Sequence, residues 1–167
     1  MLRLLRVILV FYVAVLLQGV LAPAISVWDI RPDFVFLVVL LIAFKEGAAG
    51  GALAGFFAGL FVDLNSAGAL GVTSLTSALV GFAVGSVADR LMGANAATRI
   101  IVALLATLLR DQLVYLVLLP DGVLGALKMF YRAALPGAIY TALLAVPVMG
   151  LAEMVIRWPA EVRRAVR

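Results

Sequence analysis

Residues 47–63 read GAAGGALAGFFAGLFVD, and their spacing decides the fold. Glycine recurs at Gly47, Gly51, Gly55 and Gly59, and Asp63 continues the series. On an α-helix this interval lays the four glycines and the carboxylate along one slowly rotating stripe. In water such a helix is a poor choice, because each interior glycine costs about 1 kcal/mol relative to alanine. In a bilayer the same stripe lets a second helix approach backbone to backbone. The surrounding residues are apolar, so the stretch reads as a membrane helix with a groove for a neighbour. That neighbour is either another helix of this chain or the helix of a partner. Four consecutive steps exceed what one crossing needs, so a groove shared by both is a third reading.

The composition of the 167 residues, 66% hydrophobic and 13% charged, agrees with a membrane setting. Mean hydropathy is +1.21. Soluble domains lie near about 45–50% apolar and about 25% charged. A span takes about 20 residues, so the chain holds six spans with short loops and no soluble domain of ordinary size. The expected fold class is an all-α polytopic membrane protein. It forms one six-helix transmembrane domain over residues 1–167, with approximate spans 4–21, 33–44, 47–63, 69–87, 100–119 and 135–156.

The net charge of +4 is no nucleic-acid footprint, because the basic residues sit at the ends of apolar segments rather than on one face. The expected medium is the lipid bilayer. Cysteine and histidine are both absent, which removes thiolate chemistry and the commonest general base and metal ligand. No catalytic residue, cofactor or metal site is therefore assigned, and the expectation is that the chain is no enzyme.

The N-terminal segment carries Arg3 and Arg6 before an apolar run broken by Gln18. It resembles a secretory signal with a small-residue site at Ala22-Pro23-Ala24, but a membrane protein of this kind needs an uncleaved first helix. A loop with Trp28 as an interfacial anchor leads to Arg31-Pro32-Asp33, where proline and aspartate suit the first turn of the next helix. Lys45-Glu46 turn into the glycine helix. After it, GFAVGSVAD at residues 81–89 echoes GFFAGLFVD at 55–63, aligning Gly81, Gly85 and Asp89 with Gly55, Gly59 and Asp63. The echo reads as two uses of one packing device, with an internal repeat as the other reading. Residues 123–132 carry Lys128 and Arg132 and suit an interfacial amphipathic segment. The sixth span has Pro136 near its start and Pro147 inside, where a kink is expected.

Placing the N-terminus inside leaves nine basic residues cytoplasmic and three outside, with Arg110 in mid-span. That bias orients both termini to the cytoplasm.

Arg110 and Asp111 are the costliest residues, each about 2.5–3.5 kcal/mol against insertion at a helix centre. Successive residues point about 100° apart, so each is expected to find a separate partner, Arg110 with Glu153 or Asp63. The pair is either a functional site, a clasp fixing helix register, or part of a wet cavity. Asp63 and Asp89 each end a glycine-spaced helix and read as helix-end contacts.

Residues 31–89 resemble the MreD family, the rod-shape-determining membrane proteins of bacteria. The likeness rests on Arg31-Pro32-Asp33, Lys45-Glu46-Gly47, Gly-x3-Gly-x3-Asp at 55–63, Gly68-Ala69-Leu70-Gly71, and Gly81 and Gly85. It covers the chain loosely and about a third of it closely, and the Arg110-Asp111 pair is not carried over from the family pattern. The resemblance implies a non-enzymatic scaffold in the cytoplasmic (inner) membrane. It implies a single-pass MreC-like partner, an MreB-like filament, and the peptidoglycan synthases of the side wall. It also implies a fold like the substrate-binding component of energy-coupling-factor vitamin transporters.

Two classes of function follow. In the first, the glycine groove holds the transmembrane helix of the MreC-like partner. In the second, the chain is a solute- or vitamin-binding transport component with Thr73, Ser74, Thr76, Ser77, Asp63 and Asn65 lining a cavity. An intramembrane enzyme would rest only on Asp63, Asp89, Asp111 and Glu153, which no spacing unites.

Overall fold

The computed structural model describes residues 2–26, 30–65, 70–88, 96–118 and 122–156. Its elements are α1 (Leu2–Ala24), α2 (Phe34–Leu64), α3 (Val72–Ser86), α4 (Ala96–Leu118), α5 (Gly122–Met129), a π-helical turn (Phe130–Ala134) and α6 (Leu135–Ile156). Three stretches are long and apolar enough to cross a bilayer: Phe34–Leu64, Ala97–Leu118 and Val123–Leu151. Ile8–Ala24 and Val72–Ser86 are shorter apolar helices. The protein is an all-helical membrane protein.

At 31 residues α2 is the longest helix, but it is not one rod. Gly47 adopts φ 73° and ψ −162°, a backbone open to glycine and strained for other residues. A Cβ built at Gly51 would lie 2.7 Å from the Ala43 side chain. Eight residues of continuous helix would instead separate two positions by about 12 Å. The chain therefore doubles back at Gly47, giving a first arm over 34–46 and a second over 48–64.

The first arm is the centre of the molecule. Every residue of 34–43 is buried, as expected for a helix apolar all round. Val10 and Ala14 of α1 pack on Val38 and Ile42. Val80 and Val84 of α3, Ala103 and Ala106 of α4, and Ala142, Ala145 and Met149 of α6 join the same core. The alanines let these helices come close to a bulky central arm. Outward faces are apolar and exposed, including Leu53, Phe57, Leu75, Leu105 and Leu143, as lipid contact demands.

The second arm packs antiparallel on α3. A Cβ at Gly51 would overlap the Gly81 carbonyl, one at Gly81 the Gly51 carbonyl, and one at Gly85 the Gly47 carbonyl. Gly55 faces Ser77 and Gly59 faces Thr73 and Ser74 in the same way. Each step of four up one helix is thus met by a step of four down the other. The echoing segments 55–63 and 81–89 therefore lie at opposite ends of this contact as far as α3 is described, Gly55 and Gly59 meeting residues 73–77 and Gly81 and Gly85 meeting Gly51 and Gly47. The Ser74 hydroxyl also donates to the Phe56 carbonyl at 2.9 Å.

The segment 123–132 is helical and continues through the π turn into α6. Pro136 explains the π turn between them. It has no N–H for the Arg132 carbonyl and its ring would strike that carbonyl in a regular helix. The turn widens there, and the Leu135 amide donates to Phe130, five residues back.

Because Gly51 meets backbone while Gly19 on α1 has nothing within 4 Å of a Cβ, the two glycines should respond oppositely. Gly51→Ala should destabilise by about 1–3 kcal/mol through overpacking. Gly19→Ala should be neutral or stabilising, by up to about 1 kcal/mol from helix propensity. Thermal unfolding of the purified protein in detergent checks both.

Candidate functional site

The polar residues gather at two places. The first is the start of α3. Asp63, 4% exposed at the end of α2, accepts from the amides of Gly71 at 2.9 Å, Thr73 at 3.2 Å and Ser74 at 3.0 Å. The N-cap position itself, Gly71, has a positive φ and no side chain to bond the amides. Asp63 therefore caps α3 from across the turn, satisfying donors that a helix start leaves open. Thr76 bonds back to the carbonyls of Val72 and Thr73, and Asn65 to that of Phe61. These hydroxyls and amides serve the helices. None of them lines the cavity described below.

The second place lies where α1, α2, α4 and α6 meet. Asp33 caps α2, its Oδ1 accepting from the Phe36 amide at 2.8 Å; it stands just outside the first turn in which the sequence reading set it. Its own amide donates to the Thr141 hydroxyl at 3.1 Å. Gln18 closes the same corner, accepting from the Phe34 amide at 2.8 Å and donating to the Pro32 carbonyl at 3.2 Å. Into this corner α4 sends Arg110, which pairs through Nη1 with Asp33 Oδ2. Its Nε and Nη2 donate to Asp111 Oδ1 at 3.1 and 2.7 Å. The guanidinium also lies 4.4 Å from the centre of the Phe36 ring, a cation–π contact.

Two expectations are corrected here. Arg110 does pair with its neighbour Asp111, because three methylenes let the guanidinium swing through the 100° that separates their Cβ directions. Its second partner among the described residues is Asp33 rather than Asp63, which is committed to α3; the expected Glu153 partner has a side chain that lies outside the described residues. Asp89 also lies outside them, as do Gly68, Ala69 and Trp28.

Beside the clasp is a cavity of about 220 Å³ lined by Gln18, Arg31, Thr107, Asp111, Tyr115 and Thr141, among others. Thr107, Asp111 and Tyr115 stand four apart on one face of α4. Sequence reading noted Gln18 as a break in an apolar run but gave it no role, and it missed Thr107, Tyr115, Thr141 and Phe36. The four-residue spacing of Thr107 and Tyr115 about Asp111 was the available signal. Thr141 carried none, since hydroxyls are common in membrane helices.

The helices and this interior cluster define an α-helical membrane protein with a charged clasp among its helices. The chain belongs to the MreD family: the model for rod shape-determining protein MreD matches residues 1–155. That match confirms the resemblance carried by residues 31–89 and extends it over the arginine clasp. Determination of rod shape is thus the role its family gives it, and the inner membrane its location. No curated protein matches the chain, and no solved structure does.

Removing Arg110 would leave two buried carboxylates without a counter-charge, whereas removing Asp111 leaves the Asp33 pair intact. Breaking a buried pair from one side costs about 3–5 kcal/mol. Arg110→Met should therefore lower the melting temperature in detergent well below that of Asp111→Asn, a ranking read directly by thermal unfolding.

Proposed function

We propose that this chain is a non-enzymatic scaffold of the side-wall elongation machinery. It holds the transmembrane helix of an MreC-like single-pass partner, and through it helps an MreB-like filament and the peptidoglycan synthases act together. Membership in the rod shape-determining family is the observation that carries this reading. The helices support a six-span arrangement: α1, the two arms of α2, α3, α4, and the run of α5 into α6. With both termini cytoplasmic, as the basic residues favour, residues 30–33 and the cavity beneath them face the outer side.

Of the readings that the sequence left open for the glycine ladder, packing against another helix of the chain is the one taken up here. Gly47, Gly51, Gly55 and Gly59 are covered by α3, so they build the scaffold itself. The partner's helix meets a lipid-facing side of the bundle. Gly55 or Gly59 replaced by leucine would then disturb the bundle as a whole, not the complex alone.

The cavity beside the clasp favours a second reading, a solute-binding component of a transporter. Depleting the protein from its host in media of varied composition separates the two. Rods that swell into spheres whatever nutrients are supplied are expected for the scaffold. Unchanged shape, with a growth defect cured by one added vitamin, would replace it with transport.

A further inference from the structure

The cavity beside the clasp has features that neither the clasp nor the scaffold role uses. Thr107 lines it, is 2% exposed, and its hydroxyl is a buried polar atom without a hydrogen-bond partner. A hydroxyl left so costs about 1–3 kcal/mol, and the fold does nothing to relieve it. At the other end Arg31 is exposed and lines the same cavity, and among the described residues it has no ion pair. Between them the clasp sets two carboxylates, Asp33 and Asp111, against one guanidinium, with side-chain exposures of only 12–20%. The cavity is therefore ordered in charge: an excess carboxylate and an unused hydroxyl inside, an exposed guanidinium at the mouth.

A ligand complementary to that order leads with a cationic hydrogen-bond donor and trails an anion a few bonds behind. We propose that the cavity binds an aminoalkyl phosphate, its primary ammonium directed to Asp111 and the Thr107 hydroxyl, its phosphate held by Arg31. The ammonium offers three donors, and Asp111 Oδ1 is already taken by Arg110 while a second oxygen remains. The phosphate matches a guanidinium in geometry as well as charge. A volume of about 220 Å³ is well above the roughly 10–15 Å³ that one water needs. It is below the roughly 300–1,000 Å³ of drug-sized sites, so it suits a group of headgroup size. Such a group comes either from the headgroup of phosphatidylethanolamine or from a free aminoalkyl phosphate. The inference stands apart from the scaffold reading, since it rests on the lining of the cavity alone.

The test compares primary ammonium with its trimethylated counterpart, which is bulkier and donates no N–H. In one arm, the full-length protein is released from vesicles of equimolar phosphatidylethanolamine and phosphatidylcholine, and the retained lipids are read by native mass spectrometry. In the other, protein in phosphatidylcholine vesicles is dialysed against radiolabelled phosphoethanolamine or phosphocholine. Preference for the primary ammonium in the first arm alone assigns the lipid; preference in the second assigns the free molecule. That preference should fall about tenfold in Thr107→Val, the loss of one charge-assisted hydrogen bond. Thr107→Val removes an unpartnered hydroxyl while keeping shape, so it should melt no lower than the parent. Arg31→Gln at the exposed mouth should weaken retention of the phosphate compound in whichever arm shows it. Equal binding of both ammonium types in both arms would overturn the proposal, as would a preference that survives Thr107→Val and Arg31→Gln alike.

Discussion

A guanidinium inside a bilayer must be paired, and the pairing of Arg110 is the constraint on which the rest of this bundle depends. Its two carboxylate partners come from different places, Asp111 from the same helix and Asp33 from the cap of α2. Because Asp33 also holds the first turn of α2, the charge that α4 must neutralise becomes the anchor for the start of the central arm. Gln18 from α1 and Thr141 from α6 complete the corner by bonding backbone at the same cap. Four helices are thereby tied at one point.

The opposite end of that arm is fixed by another means. Gly47 lets the chain reverse, and the glycines beyond it allow backbone contact with α3. Here the contact is close van der Waals packing of small residues, which has to hold the helices because lipid leaves no hydrophobic force to drive them together. Asp63 then starts α3 at the far side of the turn. The central arm is thus held by electrostatics at its first residue and by close packing past its last. That combination fixes both ends of the arm at the centre of this member of the rod shape-determining family.

Much of this was legible in the sequence. The glycine interval announced close helix packing, and Arg31-Pro32-Asp33 with the ladder carried the family. The echo between 55–63 and 81–89 was visible, but not that the two helices carrying these segments pack against each other, since one chain does not disclose which of its helices are neighbours. The Arg110–Asp33 pair spans 77 residues, and no local pattern reports such a meeting. The rule that neighbours on a helix diverge misled for Arg110 and Asp111, because it describes Cβ directions and neglects the reach of arginine. The run of α5 into α6 was hidden by Pro136, which reads as a break unless a π turn is allowed for.

The most direct measurement is a double-mutant cycle between Asp33 and Arg110, using Asp33→Asn, Arg110→Met and the double variant, with unfolding followed in detergent. If the clasp anchors the central arm, the double variant should lose little more than the worse single one. The coupling should then be about 1–3 kcal/mol, at the upper end of what contacting residues show. Losses that simply add, to within about 0.5 kcal/mol, would mean that the two side chains do not depend on each other. The bundle would then be held by its apolar and glycine contacts alone.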